Sequence, residues 1–323
     1  MRKLDYNKIM CVVGVIFIIL FCTFTIRDYM NYDGINDSAP FYVFVIIRII
    51  EFMLPGILFI YLYNQNTYLK ESYNIVKSTK LEQNSNYKIA HISDFHNTNS
   101  KRVKASLIQR LKENKPNIIV ITGDLIDSRR TNISAVKEFV EKITNIAPVY
   151  YVLGNHEARL QNVELVEQAI QKTGVKILRN KVIDLTENVE LIGLDDPAHY
   201  VTIEQKVKGQ MEDLVELKLK ELIKSNNKFK VLITHRPELI DAYAKYNVDL
   251  VFTGHAHGGQ IRLPWIGGIF APGQGYFPKY TKGIYRKKDT RLVVSRGIGN
   301  SKFPFRVNNR PELVFVTLEK GNS

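Results

Sequence analysis

The stretch VFTGHAHGGQ, residues 251–260, carries an apolar run into two histidines one residue apart, set among glycines. Glycine-rich backbone loses the most entropy on ordering and packs nothing, so imidazoles placed on it point to something held there. The arrangement recurs upstream: KIAHIS leads to Asp94 and His96, IIVITG to Asp124, VYYVLG to Asn155 and His156, KVLIT to His235, and LVFTG to His255 and His257. In a sheet whose strands run the same way, these tips converge on one edge, where loops and helix starts build ligand sites. One such residue alone would more often be a turn or cap residue. Five of the seven histidines standing at strand tips reverse those odds.

The only cysteines, Cys11 and Cys22, lie in the first apolar stretch, so any downstream metal must be held by nitrogen and oxygen. That donor set suits Mn, Fe or Zn in five- or six-coordinate positions better than a thiolate zinc finger or an all-oxygen calcium loop. Seven donors are too many for one tetrahedral ion, whereas two ions sharing a carboxylate would use them. A Ser-His-Asp hydrolase is disfavoured because no GxSxG elbow occurs.

Around these tips, β-branched runs alternate with amphipathic stretches, which predicts an α/β fold with its sheet core between helices. Val103, Leu107, Ile108 and Leu111 share one side of a helix, and Val136, Phe139, Val140 and Ile143 share one side of another. Further on, VKILRNKVIDL and NVELIGLDD read as a strand pair and Ile203 to Lys224 as a long helix. APGQGYFPKYTKGIY, TRLVVSRGIGN and PELVFVTL read as a terminal group of strands and loops.

Upstream, Ile9 to Ile26 is an uncharged run of 18 residues, near the lower length for a membrane-spanning helix. No small-residue cleavage site follows, which favours an uncleaved segment over a signal peptide. A second apolar run, Phe41 to Tyr63, contains Arg48 and Glu51 and is the less secure span, since each charge costs on the order of 2.5–3.5 kcal/mol at a bilayer centre unless paired. The expectation is a membrane anchor of one or two transmembrane helices over 1–63, a polar linker over 64–86, and a catalytic domain over 87–318. If both runs cross, the loop with Arg27, Asp28, Asp33 and Asp37 is acidic on balance, while Lys70, Lys77 and Lys80 follow the second run. Positive-inside logic then places the domain in the cytoplasm; an interfacial second run would place it outside the cell membrane. The formal charge is +13, yet residues 1–80 hold eight basic and six acidic side chains, so the excess is downstream. Such a field favours phosphate esters, nucleic acid or an acidic membrane surface, and equally describes an ordinary solvated exterior.

DFH (Asp94, His96), GDLID (123–127), GNHE (154–157), TH (Thr234, His235) and GHAH (254–257), in that order, resemble the five blocks DxH, GDxxD, GNH, H and GHxH of the calcineurin-like metallophosphoesterases. The intervals of 30 and 31 residues from Asp94 to Asp124 and on to Asn155 each fit one strand-helix-strand unit. The resemblance implies a four-layer α/β/β/α sandwich and a dinuclear metal-dependent phosphoesterase that cleaves a phosphodiester or pyrophosphate with a metal-bridged hydroxide. By motif, it implies Asp94, His96 and His257 on one divalent ion, Asn155, His235 and His255 on the other, and Asp124 on both. His156 would protonate the leaving oxygen or stabilise charge. Glu157 and Asp127 would orient neighbours or merely stabilise turns. The tail GIGNSKFPFRVNNRPELVFVTL, with GHAHGGQ, is similar to a membrane-anchored bacterial branch containing phosphodiesterases and UDP-diacylglucosamine pyrophosphatase-like enzymes, which implies a membrane-proximal, lipid-linked substrate. A metal-dependent nuclease, a phosphoprotein phosphatase and a non-catalytic metal-binding scaffold stay open as alternatives. Arg236, Arg296, Arg306 and Arg310 are candidates for gripping phosphate, although each taken singly fits a salt bridge better. Trp265, Phe270, Tyr276, Phe277 and Tyr280 line a cleft, touch a membrane interface, or simply pack. His91, inside the first strand, reads as a hydrogen-bonded core histidine.

Overall fold

Two helices open the chain, α1 (Tyr6–Met30) and α2 (Phe41–Thr67). The computed structural model describes residues 6–30, 41–83, 86–202, 204–205, 209–224, 227–301 and 303–321; Asp33, Asp37 and Ile203 lie outside the described residues. Among those described, one helical segment is long and apolar enough to cross a membrane, Ile46–Thr67 in α2, whereas the apolar stretch of α1 is shorter, Gly14–Arg27. Arg48 and Glu51 pair at 2.7 Å, which relieves the cost that had demoted the second run. The chain divides into two compact units, Met1–Tyr63 and Asn64–Ser323.

The polar stretch after α2 is more than a linker. Lys70–Ser78 form β1, which runs parallel to β16 (Glu312–Lys320) at the edge of a sheet. Only its alternate end residues Val76 and Ser78 are buried, so the strand reads as polar in sequence. This first sheet continues as β2 (Tyr87–Ile92), β3 (Ile118–Thr122), β4 (Val149–Val152) and β5 (Lys176–Ile177), all parallel, with β16 antiparallel to β2. In the second sheet, β7 (Val189–Gly193), β8 (Phe229–Ile233), β9 (Leu250–Thr253) and β15 (Thr290–Val294) are parallel. Antiparallel β6 (Lys181–Thr186) and β14 (Gly283–Lys287) flank them. VKILRNKVIDL is therefore not one strand: it ends the first sheet, turns at Asn180 with φ 48°, and begins the second. PELVFVTL likewise leaves the terminal group and returns to the first sheet as β16.

Three apolar layers hold four structural layers together. Helices α3 (Lys101–Asn114), α4 (Ile133–Thr144) and α5 (Val163–Gln171) cover the outer face of the first sheet. The inner faces of the two sheets meet through Ile89, Val120 and Val152 on one side and Val231, Ile233 and Phe252 on the other. Helices α6 (Met211–Leu222) and α7 (Ile240–Lys245) cover the second sheet. Ile119 and Ile121 face the helices while Ile118 and Val120 face the other sheet, which is why β3 is apolar throughout. Each such burial contributes roughly 1.5–3 kcal/mol. Val103, Leu107 and Leu111 are the buried side of α3, capped by Ser100, and Val136, Phe139, Val140 and Ile143 that of α4. Within the helix read from Ile203 to Lys224, Met211–Leu222 form α6, and residues 203 and 206–208 lie outside the described residues. This α/β/β/α sandwich leaves the C-terminal ends of β2, β3, β4, β8 and β9 at one end of the two sheets.

Candidate metal centre

The backbone at those strand ends is unusual. Asp94, His96, Asp124, His255 and His257 all take positive φ, from 46° to 63°. For side chains other than glycine such conformations cost about 1–3 kcal/mol each and persist only where the surroundings enforce them. The enforcing contacts are present. The His255 N–H donates to both oxygens of Asp94 at 3.1 Å, and the His156 N–H donates to Asp124 Oδ1 at 2.8 Å. Buried Glu157 accepts the N–H groups of Asp124 (3.0 Å) and Gly154 (2.8 Å) on Oε2 and that of Ile126 (2.9 Å) on Oε1. It thereby joins the loops after β3 and β4. A Cβ on Gly254 would collide with Ser93 Oγ and Asp94 Oδ2, so this turn must be glycine for the loop to lie against that carboxylate.

The side chains thus delivered form two clusters. In one, His96 Nε2 and His257 Nε2 face each other at 3.1 Å, with Asp94 Oδ1 at 3.4 Å from His257. In the other, His235 Nε2 lies 3.0 Å from His255 Nδ1 and 3.1 Å from Asn155 Oδ1. Asp124 Oδ2 stands between them, 3.6 Å from His96 Nε2 and 3.3 Å from His235 Nε2. All seven residues are buried.

Nitrogen and oxygen atoms converging in this way fit divalent cations. Burial pushes His96 down to about 4 and His257 to about 3, so both present lone pairs. His235 Nδ1 donates to the Thr122 carbonyl at 2.7 Å, which aims Nε2 at the cluster, the support a metal-ligating histidine needs. Burial opposes charge on His235, yet the Asp124 carboxylate beside it raises the imidazole to about 10.

His156 sits at the rim, its Nε2 4.0 Å from Asp124 Oδ2 and its ring against His96. Ser128 N–H donates to His156 Nδ1 at 3.2 Å, and Asp127 Oδ1 lies 3.3 Å from the same atom. Burial works against charge on Asp127, but hydrogen bonds from His156 and Arg129 hold its carboxyl below the usual range. Asp127 and Glu157 therefore both orient neighbours rather than merely closing turns.

The four arginines divide. Arg236 is locked on Asp196 at 2.8 and 3.2 Å and on Glu238 at 3.3 Å. Arg306 is fully buried and donates to the carbonyls of Arg296, Gly297, Gly299 and Asn309. Arg296 lies buried 3.6 Å from Glu312, and only Arg310 is exposed. The first three are structural. The sequence reading missed Asp196, the partner that fixes Arg236, because nothing local marks a carboxylate forty residues away. His91 is the core histidine expected, bonded to Thr122 Oγ1 at 2.8 Å and lowered by burial to about 3.

Two nitrogen-oxygen clusters sharing one carboxylate, at the open end of a double sheet, belong to hydrolases that cleave phosphate esters with divalent ions. The chain is a member of the calcineurin-like phosphoesterase family, whose model matches residues 87–259, and is a metal-dependent phosphoester hydrolase. It is 29% identical over 239 residues to the metallophosphoesterase YkuE of Bacillus subtilis, covering 72% of this chain and 77% of that one. It is 26% identical over 242 residues to the phosphodiesterase YaeI of Escherichia coli, covering 72% and 82%. Among solved structures, a dimetal phosphatase from Danio rerio overlays with a TM-score of 0.45 at 11% identity, covering 73% of this chain and 94% of that one.

Proposed function

We propose that the chain hydrolyses a phosphodiester or pyrophosphate at a membrane, with two ions of Mn, Fe or Zn as cofactors. Asp94, His96 and His257 would hold one ion, Asn155, His235 and His255 the other, and Asp124 both. When bound, such a pair neutralises phosphoryl charge and lowers the pKa of a water. The observation that carries the reading is the position of Asp124 Oδ2, within 3.6 Å of His96 Nε2 and 3.3 Å of His235 Nε2. One oxygen is reached from both histidine pairs.

His156 acts from the rim. Ser128 and Asp127 both engage Nδ1, which leaves Nε2, on the side of Asp124, as the nitrogen turned to the site. From there it can donate to the oxygen that leaves phosphorus. Residues 1–63 serve as the anchor, and Ile46–Thr67 supports a membrane location. Positive-inside reasoning favours a cytoplasmic catalytic unit. The test is hydrolysis by the metal-loaded full chain of diester, monoester and lipid pyrophosphate substrates. Turnover of diester or pyrophosphate above monoester is expected; a preference for monoester, or no turnover on any, would sink the assignment.

A further inference from the structure

Beyond the last histidine the chain leaves the second sheet for two hairpins. Arg262–Leu263 (β10) pairs with Gly267–Gly268 (β11), and Phe270–Ala271 (β12) with Gly275–Tyr276 (β13). This excursion lies past the residues that the family model matches. It is nonetheless fixed to the metal centre. Arg262 Nη1 donates to the Gly258 carbonyl at 2.6 Å, a Cβ on Gly273 would stand 3.5 Å from His255 Nε2, and Asn309 Nδ2 donates to the carbonyls of His257 (2.7 Å) and Gln260 (3.2 Å) where the hairpins begin.

The hairpin side chains do not face inward. Trp265, Ile266, Phe270, Tyr276 and Phe277 are exposed, Trp265 completely at 103%, while Tyr280 packs on the core beneath the second sheet. Ordinary packing therefore accounts for Tyr280 alone among the aromatic series. The backbone adds a second observation. Ala256 N–H donates to the Gly254 carbonyl, Ile261 N–H to Gly259 and Ile266 N–H to Pro264, each at 2.7 Å. These close γ-turns around His255, Gln260 and Trp265, whose φ values are 63°, 56° and 61°. Turns of this hand are rare and strained. The first places a metal-site histidine, and the second lets Gln260 donate to the carbonyls of Phe303 and Phe305 at 3.0 and 2.8 Å. The third holds a bare indole in water. Strain of that kind clusters at functional sites, where the surrounding structure enforces it.

Charge and connectivity say what covers the indole. Residues 250–288 contain no Asp or Glu and six Lys or Arg, of which Lys279, Arg286, Lys287 and Lys288 are exposed, Arg286 and Lys287 pairing with Asp289 and Asp241. Interfacial aromatics amid cations match an anionic lipid surface, where Trp and Tyr sit at headgroup level. The last turn of α2, which ends the apolar segment Ile46–Thr67, is fastened next to these hairpins. Gln65 Oε1 accepts the Asn309 N–H at 3.0 Å, and Asn66 Oδ1 accepts from Asn300 Nδ2 at 3.1 Å.

We propose that the 261–281 hairpins dock on an anionic bilayer with Trp265 at headgroup depth, opening the mouth of the metal centre toward lipid-borne phosphate. The last clause rests on the function proposed above; the docking does not. Trp265 is the only tryptophan in the chain, so its fluorescence reads this hairpin alone. The full chain is reconstituted into phosphatidylcholine and phosphatidylglycerol vesicles, with lipids brominated near the headgroup end of the acyl chains. The expected result is blue-shifted emission, quenched by the brominated lipid, shielded from acrylamide, and less shielded when phosphatidylglycerol is omitted. Red emission open to acrylamide and unaffected by bromine overturns the proposal. Shielding from acrylamide without bromine quenching, the sign of a second copy over the indole, overturns it as well. The readout needs no turnover, so failed docking and a failed phosphoesterase assay are separate results.

Discussion

Removing the Glu157 carboxylate should loosen the metal centre while leaving every metal-binding side chain in place. Its two oxygens accept three buried N–H groups, from Asp124, Gly154 and Ile126, at 3.0, 2.8 and 2.9 Å. In Glu157→Gln one oxygen remains for Asp124 and Gly154 while an NH2 group is turned on Ile126. One buried donor then goes unmet, at about 1–3 kcal/mol. Burial and the nearby Asp124 charge push the Glu157 carboxyl up to about 7, so the neutral amide also relieves repulsion and the loss belongs at the low end of that range. Glu157→Ala strands all three donors, roughly 3–9 kcal/mol by the same rule. That is a large part of the 5–15 kcal/mol (order of magnitude) that holds a typical fold. Thermal unfolding of the detergent-solubilised full chain should rank wild type above Gln and Gln above Ala. Mn affinity by titration calorimetry should fall in the same order, because nothing else on the β4 loop holds the Asp124 N–H. An alanine variant that melts with the wild type and binds Mn equally well would refute the positioning role.

Other expectations follow from the same geometry. Gly254→Ala drives a Cβ into buried Ser93 and Asp94; calorimetry should show weakened metal binding alongside about 1–3 kcal/mol of overpacking cost. His156→Ala should lower kcat by roughly 10²–10⁴-fold while metal content, measured by plasma emission, stays at the wild-type level. Arg306→Lys cannot serve four carbonyls with a planar fork, so the melting temperature should fall with little change in KM for a phosphodiester. Chelation should lower the melting temperature and added Mn restore it, by about 2.7 kcal/mol at a hundred times Kd.

The centre was legible in sequence because each of its pieces is local. A strand that ends in Gly-Asp, Gly-Asn-His or Gly-His-Ala-His announces both its direction and its donors within a few residues. The helix faces on α3 and α4 were legible for the same reason. What the sequence hid is what depends on partners far along the chain. β1 looks like a linker because an edge strand exposes most of its side chains, and only β16 makes it a strand. Arg236 looks like a phosphate ligand until Asp196 meets it. The left-handed backbone at Asp94 and Asp124 has only a faint signal in residue type, since aspartate visits that region more than most side chains but far less than glycine. The Arg48–Glu51 pair on α2 was legible as well, because a spacing of three puts the two charges side by side on a helix.

The central claim is that Asp124 is shared by two ions. Electron paramagnetic resonance of the Mn-loaded full chain, read beside metal content, tests it most directly. A shared Asp124 predicts two Mn per chain with an exchange-coupled spectrum in the wild type, and loss of the coupling in Asp124→Asn. Uncoupled mononuclear signals in the wild type, or fewer than one ion per chain, would contradict it.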